Sequence, residues 1–405
     1  MDRLPSFQIE NSDIEWVNTF TYLGVTLDAP TLTWRNHIDN ICREGNQRIN
    51  IMRALSGSSW GADRDLLINL YTTYIRPKIL YGITAVASAT KTGLDRLERL
   101  QNAAIRVAIG ARSTSPIKAL QVEANILPLK EYIKGISCKS YFRMDSHSHP
   151  ILLRFREDED VEDKVWTKIF KTPFIKRCEH IMESWEIHED VEVKEVLLPS
   201  LPPWTPSKLK LEEELNTKVK KDQCPEVIKA IALDTIEKRY NAHLRIYTDG
   251  SKVDDSTTAA MWIPSLGVEE RWKLSHGQSR SIMGAELYAI NRALHWLVIN
   301  QPLLTQTKVA ILSDSKSGIM AIKNRKSRSY SYLTNQIRNL GVIMEDNEIE
   351  LAIQWVPSHV NLTHNEHVDG LAKSAHGLHE ETPVPLDKKE VKKMIDSKLQ
   401  RICQI

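Results

Sequence analysis

From Leu244 to Ala375 the chain alternates between two hydrophobic periods, one of two residues and one near 3.6, and no all-helical or all-strand fold accommodates both. Leu244–Thr248 reads as a strand, and Thr257–Ile263 and Glu270–Leu274 read as two more. A long helix is expected from about Ser281 to Val298, followed by a buried strand at Val309–Leu312 and helices near 316–323 and 330–345. A strand at Ile349–Val356 and a closing helix from Asn365 to Ala375 complete the pattern. Three strands followed by alternating helices and strands predict an α/β domain, with helices packed on a mixed sheet.

Four carboxylates fall where that architecture gathers its loops. Asp249 ends the first expected strand in Tyr247-Thr248-Asp249-Gly250-Ser251, and Asp314 ends the apolar run Val309-Ala310-Ile311-Leu312. If those strands are parallel neighbours, both carboxylates emerge at their carboxyl ends, where open α/β sheets place their sites. Taken singly, each is equally well read as a turn or helix-cap aspartate. Glu286 shares a helical stripe with Met283, Ile290, Ala293, Leu294 and Leu297, which turns it toward the core. An ionised carboxylate there needs a cationic partner or must take up a proton. Asp369 lies early in the last helix, whose start from Thr363 to Glu366 has the form of a capping box. Carboxylates brought to one point make a hard oxygen site suited to Mg²⁺ or Mn²⁺.

Together these segments resemble the successive signatures of type 1 ribonucleases H. They are Tyr247-Thr248-Asp249-Gly250-Ser251, Ala285-Glu286-Leu287, Ser313-Asp314-Ser315, and Trp355-Val356-Pro357-Ser358-His359 through Asn365-Glu366 to Asp369. The resemblance implies a ribonuclease H-like mixed five-stranded sheet with flanking helices. It also implies that Asp249, Glu286, Asp314 and Asp369 hold two Mg²⁺ ions, with Mn²⁺ able to substitute, and that His359 assists proton transfer or product departure. The expected activity is endonucleolytic hydrolysis of the RNA strand of RNA–DNA hybrids. Ser358 replaces the glycine usual before that histidine, and Val368 replaces a smaller residue before the final aspartate. Lys323, Arg325, Lys326 and Arg328 occupy a short gap between helices and are candidate phosphate contacts, equally well read as a solvated helix end.

The first 144 residues are mostly helical in pattern. Trp34, His37, Ile38, Ile41, Ile49 and Met52 recur at helical intervals, as do Leu66, Leu70 and Tyr74, and then Leu94, Leu97, Leu100 and Ile105. Pro77 is expected to end or kink a helix. Phe20-Thr21-Tyr22-Leu23-Gly24-Val25-Thr26-Leu27-Asp28, with Leu32-Thr33-Trp34, resembles the segment after the polymerase palm in jockey-like retrotransposons without long terminal repeats. The helices beyond it resemble their thumb and connection. The polymerase's aromatic-x-Asp-Asp does not precede Tyr22, and the one adjacent aspartate pair, Asp254-Asp255, is expected in a turn. The chain is therefore read as the carboxyl-terminal piece of such a polyprotein, or a host gene derived from one.

The expected organisation is a thumb-like helical region over 1–144, a connector over 145–240 and a ribonuclease H domain over 241–378. An amphipathic helix over 379–405, with Val391, Met394, Ile395 and Leu399 on one face, closes the chain. The connector carries the acidic run Glu157–Asp160 and the prolines Pro199, Pro202, Pro203 and Pro206. With 54 basic against 52 acidic residues the net charge is +2, so a grip on nucleic acid must come from local patches. The five scattered cysteines form no CxxC pair, which argues against a zinc knuckle or disulfide framework and for a reducing, intracellular setting. No apolar run is long enough for a membrane span. Two functions stay open: an active hybrid-specific endonuclease, and a hybrid- or RNA-binding module with negligible cleavage.

Overall fold

The computed structural model describes residues 8–9, 12–13, 16–29, 32–57, 60–157, 172–187, 191, 193, 202, 209–212, 215, 223–301, 307–325 and 329–403. The chain divides into two compact units. One comprises Met1–Tyr141, Ile151–Ile187 and Ile395–Ile405, and the other comprises Phe142–Pro150 and His188–Met394. Among the described residues, no helix is long and apolar enough to cross a membrane.

The first unit is built on helices, and a hairpin leads into the first of them. Strands Thr19–Tyr22 and Val25–Asp28 pair antiparallel, with Tyr22 opposite Val25. The two residues between them, Leu23 and Gly24, have φ of 47° and 79°, the geometry a tight two-residue hairpin requires. The sequence pattern did not reveal this hairpin. In the Arg35–Leu55 helix the buried side includes His37, Ile38, Ile41, Ile49 and Met52, the face expected from spacing. The next helix turns the other way. Leu67, Tyr71 and Ile75 face the core, whereas Leu66 and Tyr74 are exposed. Two apolar stripes one residue apart run through this segment, and the core takes the one expected to be outside. Pro77 does not stop the chain here. Residues Tyr71–Ile75 widen into a π-helical turn, and Arg76–Leu80 continues as α-helix. Widening the turn before a proline is one way to relieve its clash with the preceding carbonyl.

The second unit is a mixed sheet. Strand Leu244–Val253 lies at its centre, parallel to Lys308–Ser313 on one side and antiparallel to Ser256–Ile263 on the other. Val268–Leu274 continues the antiparallel side, and Glu350–Trp355 continues the parallel side. These five strands are the expected ones, but among the described residues the sheet has seven. Lys210–Glu212, from the stretch read as a connector, adds a parallel edge to Glu350–Trp355, and Glu381–Thr382 adds one to Val268–Leu274. Strands of two or three residues give too short a period to register in sequence. The helix Pro225–Tyr240 also belongs to this unit, where Ala232 and Ile236 pack with Tyr247, Leu312 and Val368. The other face carries the helices Ile282–Asn300, Lys316–Lys323 and Ser331–Asp346, whose apolar sides close on Ile246, Ile311 and Ile353.

Asp254 and Asp255 make the turn between two antiparallel strands, as expected, with Asp254 at φ 45°. Of the connector's features, Pro199, Pro203 and Pro206 and the acidic residues 158–160 lie outside the described residues.

Candidate active site

The site begins with strand register. Thr248 pairs with Ser313 in the parallel ladder, so Asp249 and Asp314 each follow the last paired residue. Asp249 does not end its strand, which runs on to Val253 in the antiparallel ladder; it marks where the parallel pairing stops. Gly250, the next residue, meets the Ile282–Asn300 helix so closely that a Cβ would lie 2.8 Å from the Glu286 backbone nitrogen and 3.0 Å from Ala285 Cβ. Only glycine lets the helix approach this near, and the approach brings Glu286 beside Asp249.

The remaining carboxylate comes from the helix Thr363–Ser374. This helix does not start with the expected capping box: Leu362 is the N-cap residue and no side chain caps it. It is held from its far end. Thr258 Oγ1 donates to the Ala372 carbonyl at 2.8 Å, and His376 Nδ1 and Nε2 contact Ser256 Oγ at 2.8 Å and Ser251 Oγ at 3.1 Å. This anchorage fixes Asp369, which lies less than one turn before Ala372.

Asp249, Glu286, Asp314, Asp369 and His359 line one open cleft of about 320 Å³, so all five expected site residues meet. His359 sits exposed in the loop after the Glu350–Trp355 strand, with φ 54°. Of the expected basic residues, the two that are described do not join them. Lys323 ends its helix and Arg325 donates to the Pro202 carbonyl at 3.4 Å, and neither lines the cleft. Lys326 and Arg328 lie outside the described residues.

The electrostatics are those of crowded acids. Burial first, and the charge of Asp314 second, push the Asp249 carboxyl up to about 8. Glu286 is raised by burial, opposed by a hydrogen bond from Ser315 Oγ. Asp314 is raised by burial as well, opposed by a hydrogen bond from the Asn365 side chain. Asp369 accepts from Lys373 Nζ at 2.6 Å.

Ser315, Asn365 and Lys373 were not singled out as site residues. Ser315 both caps the Lys316–Lys323 helix through Gly318 and holds Glu286. Lys373 is four residues past Asp369 on a helix, a spacing at which side chains meet, and that signal was available. Asn365 stands in the Asn365-Glu366 segment that carries the ribonuclease H resemblance, which was the one signal for it.

Do these residues fit divalent cations? Among the described residues no three acidic, histidine or cysteine side chains close into a ready-made cage. Mg²⁺ seldom needs one, since it keeps several waters and takes one or two carboxylates together with substrate phosphate. The donor set is all oxygen, burial above all makes Asp249, Glu286 and Asp314 resist ionising, and among the described residues buried Asn365 Oδ1 has no protein partner. Such a set fits a hard cation.

Residues 241–376 match the family model for RNase H. The chain is 25% identical over 150 residues to the RNA-directed DNA polymerase from mobile element jockey of Drosophila funebris, covering 37% of this chain and 16% of that protein. The Drosophila melanogaster counterpart is 23% identical over 147 residues, covering 36% and 16%. The chain thus matches only 16% of the length of these relatives. Among solved structures it is similar to LC11-RNase H1, isolated from compost by a metagenomic approach, at 19% identity over 33% of this chain and 95% of that one, with a TM-score of 0.28. LC11-RNase H1 in complex with an RNA/DNA hybrid is similar at 16% identity, covering 32% and 94%, with a TM-score of 0.26. The foamy viral protease-reverse transcriptase in complex with an RNA/DNA hybrid is similar at 11% identity, covering 89% and 52%, with a TM-score of 0.28. On the family match, residues 241–376 of this chain form a ribonuclease H domain, the hydrolase of that family.

Proposed function

We propose that this domain cleaves the RNA strand of RNA–DNA hybrids, using two Mg²⁺ ions held by Asp249, Glu286, Asp314 and Asp369. The observation that carries the reading is the pairing of Thr248 with Ser313, which delivers Asp249 and Asp314 together to a cleft shared with Glu286 and Asp369. When bound, the ions supply positive charge that offsets the scissile phosphate and eases deprotonation of the attacking water. The chain's own groups do the positioning. Ser315 fixes one Glu286 oxygen, and Asn365 fixes Asp314. Lys373 balances Asp369 while the cleft is open. His359, exposed at the rim, receives or delivers the proton that accompanies departure of the 3′ oxygen. Attack by water breaks the bond from phosphorus to the 3′ oxygen and leaves a 5′-phosphate on the downstream fragment. The similarity to jockey polymerases supports a retroelement origin, with the hybrid as partner.

The experiment is a gel assay on a hybrid labelled in its RNA strand, with Mg²⁺ and with chelator. Cleavage confined to the Mg²⁺ lanes is expected. Hybrid binding without cleavage in any divalent ion would replace the enzyme with a binding module.

A further inference from the structure

Three helices of the second unit begin around one buried carboxylate, and that carboxylate lies outside the matched segment. Glu390 is 3% exposed, in the first turn of the helix Lys388–Cys403. Its Oε2 accepts from the Asp387 backbone N–H at 3.0 Å, the reciprocal half of a capping box on its own helix. Asp387 completes that box, with Oδ1 accepting from the Lys389 N–H at 2.9 Å. Its other oxygen accepts from the N–H of Tyr330, the N-cap residue of the Ser331–Asp346 helix, at 2.9 Å.

Glu390 Oε1 serves the third helix. It accepts from the Ser281 backbone N–H at 2.7 Å and from the Tyr330 hydroxyl at 3.0 Å. Ser281 is the N-cap of the Ile282–Asn300 helix, and its Oγ accepts from Gly284 N–H at 3.1 Å. A capping box needs an acidic or amide side chain at the third helical residue to receive the N-cap N–H. Here that residue is Gly284, which has none. A Cβ on Gly284 would lie 2.9 Å from Glu390 Oε1, so Glu390 stands where the missing side chain would reach. The box is closed in trans, by a residue more than a hundred positions later.

The surroundings make this arrangement stiff. Arg280, 1% exposed, faces Glu390 at 3.9 Å and donates to the carbonyls of Ser275 and Val384 at 3.0 and 2.6 Å. Lys252 donates to the carbonyls of Gly277 and Gln278 at 3.0 and 3.1 Å, clamping the loop that leads into Ser281. Positive helix ends and a guanidinium thus converge on the two carboxylates, the sign that favours them.

Glu286 is the fifth residue of the Ile282–Asn300 helix, whose N-cap is Ser281. We propose that Glu390 is a positioning residue for Glu286. It fixes the first turn of that helix from outside, which makes the segment from Glu381 to Met394 a working part of the ribonuclease H unit. The inference rests on the reading of Glu286 as a metal ligand, and one arm of its test does not depend on that reading.

The test uses the full chain without nucleic acid, comparing wild type, Glu390→Ala and Met344→Ala. Met344 is fully buried in the same unit and takes no part in the hydrogen bonds at Glu390, so it controls for lost packing. In Glu390→Ala, amide exchange of the peptide spanning Ser281–Leu287 should quicken by about tenfold over the Met344→Ala control. Mg²⁺ affinity by calorimetry should fall by about tenfold, the lower end of the effect of losing a group that orients a ligand. Gly284→Glu placed in the Glu390→Ala chain returns the missing acceptor in cis and should recover part of both. If Glu390→Ala does not fold, Glu390→Gln is read against the same control. Exchange and affinity equal to those of Met344→Ala would overturn the proposal. A wild type that binds no Mg²⁺ would sink the proposed function instead, and the exchange comparison would still decide this inference.

Discussion

Asp249 and Asp314 each stand one residue past Thr248 and Ser313, the last pair of the parallel ladder, so two acids that no solvated surface would keep together share one cleft. Replacing either by asparagine keeps its size and removes its charge. Asp249→Asn and Asp314→Asn should each lower the cleavage rate by about a hundred- to a thousandfold or below detection, the scale of losing one preorganised electrostatic partner. Folding should survive, because repulsion among the remaining carboxylates falls. Rates on a labelled hybrid, with circular dichroism of each variant, check both halves.

The raised Asp249 pKa gives a pH dependence with a definite sign. Folded, the group titrates at about 8; unfolded, near the ordinary aspartate value of about 3.9. Between those values the folded chain holds a proton that the unfolded chain has lost. The contribution of Asp249 to stability is therefore greatest at low pH and declines as pH rises from about 4 to 8. Glu286 and Asp314, also raised, act in the same direction. Histidines with lowered pKa, such as His37 and His295, act oppositely near their own titration, so the comparison must be differential. In chelator, the melting temperature of Asp249→Asn should gain on wild type as pH moves from 5 to 8. A difference that stays flat across this range would contradict the assignment.

Gly250→Ala addresses the approach of helix and strand. The added methyl would meet Glu286 N and Ala285 Cβ, neither of which is the flexible end of a side chain. We expect a loss of about 1–3 kcal/mol, the usual cost of overpacking, measured by urea unfolding. Cleavage should fall further than the folded fraction, because the displaced backbone carries Glu286.

How much of this was legible in the sequence depends on the range of the signal. The five longer strands and the helices between them declare themselves through period; Asp249 and Asp314 are marked by the apolar runs they follow and Glu286 by its helical stripe, while Asp369 and the set of four come from the resemblance to ribonucleases H. The two edge strands, Lys210–Glu212 and Glu381–Thr382, are too short to carry a period and exist only because a neighbouring strand offers them hydrogen bonds. The Leu66 stripe was misread because Leu67, Tyr71 and Ile75 make an equally apolar one, and only packing chooses between them. Ser315 and Asn365 lie within segments that carry the ribonuclease H resemblance, but their contacts with Glu286 and Asp314, residues far away in sequence, have no local pattern of their own.

Lys373 donates to Asp369 and is itself mostly exposed, so it competes with a metal ion for that oxygen without being fixed in place. Lys373→Met should tighten Mg²⁺ binding by a few-fold in calorimetry at low salt, and the gain should shrink as salt screens the lysine in wild type. Weaker Mg²⁺ binding in the variant would mean that Lys373 supports the site and does not oppose metal.

The choice between enzyme and relic turns on substrate class. A ribonuclease H must find 2′-hydroxyls on one strand and a deoxyribose backbone on the other, and the two grooves of a hybrid present those features together. Cleavage should therefore be strong on an RNA–DNA hybrid, weak on duplex RNA and absent on duplex DNA, with little dependence on base sequence. Phosphate contacts hold the substrate, so binding should weaken with salt and should barely distinguish wild type from Asp314→Asn when metal is absent. Paired measurements on the same samples decide the matter: filter binding in chelator, then cleavage after Mg²⁺ is added. If wild type and Asp314→Asn bind hybrid alike and wild type alone cuts, the carboxylates act in chemistry and not in docking. If both bind and neither cuts, the cleft between Asp249 and Asp314 is a vestige, and the chain's remaining activity is to hold hybrid.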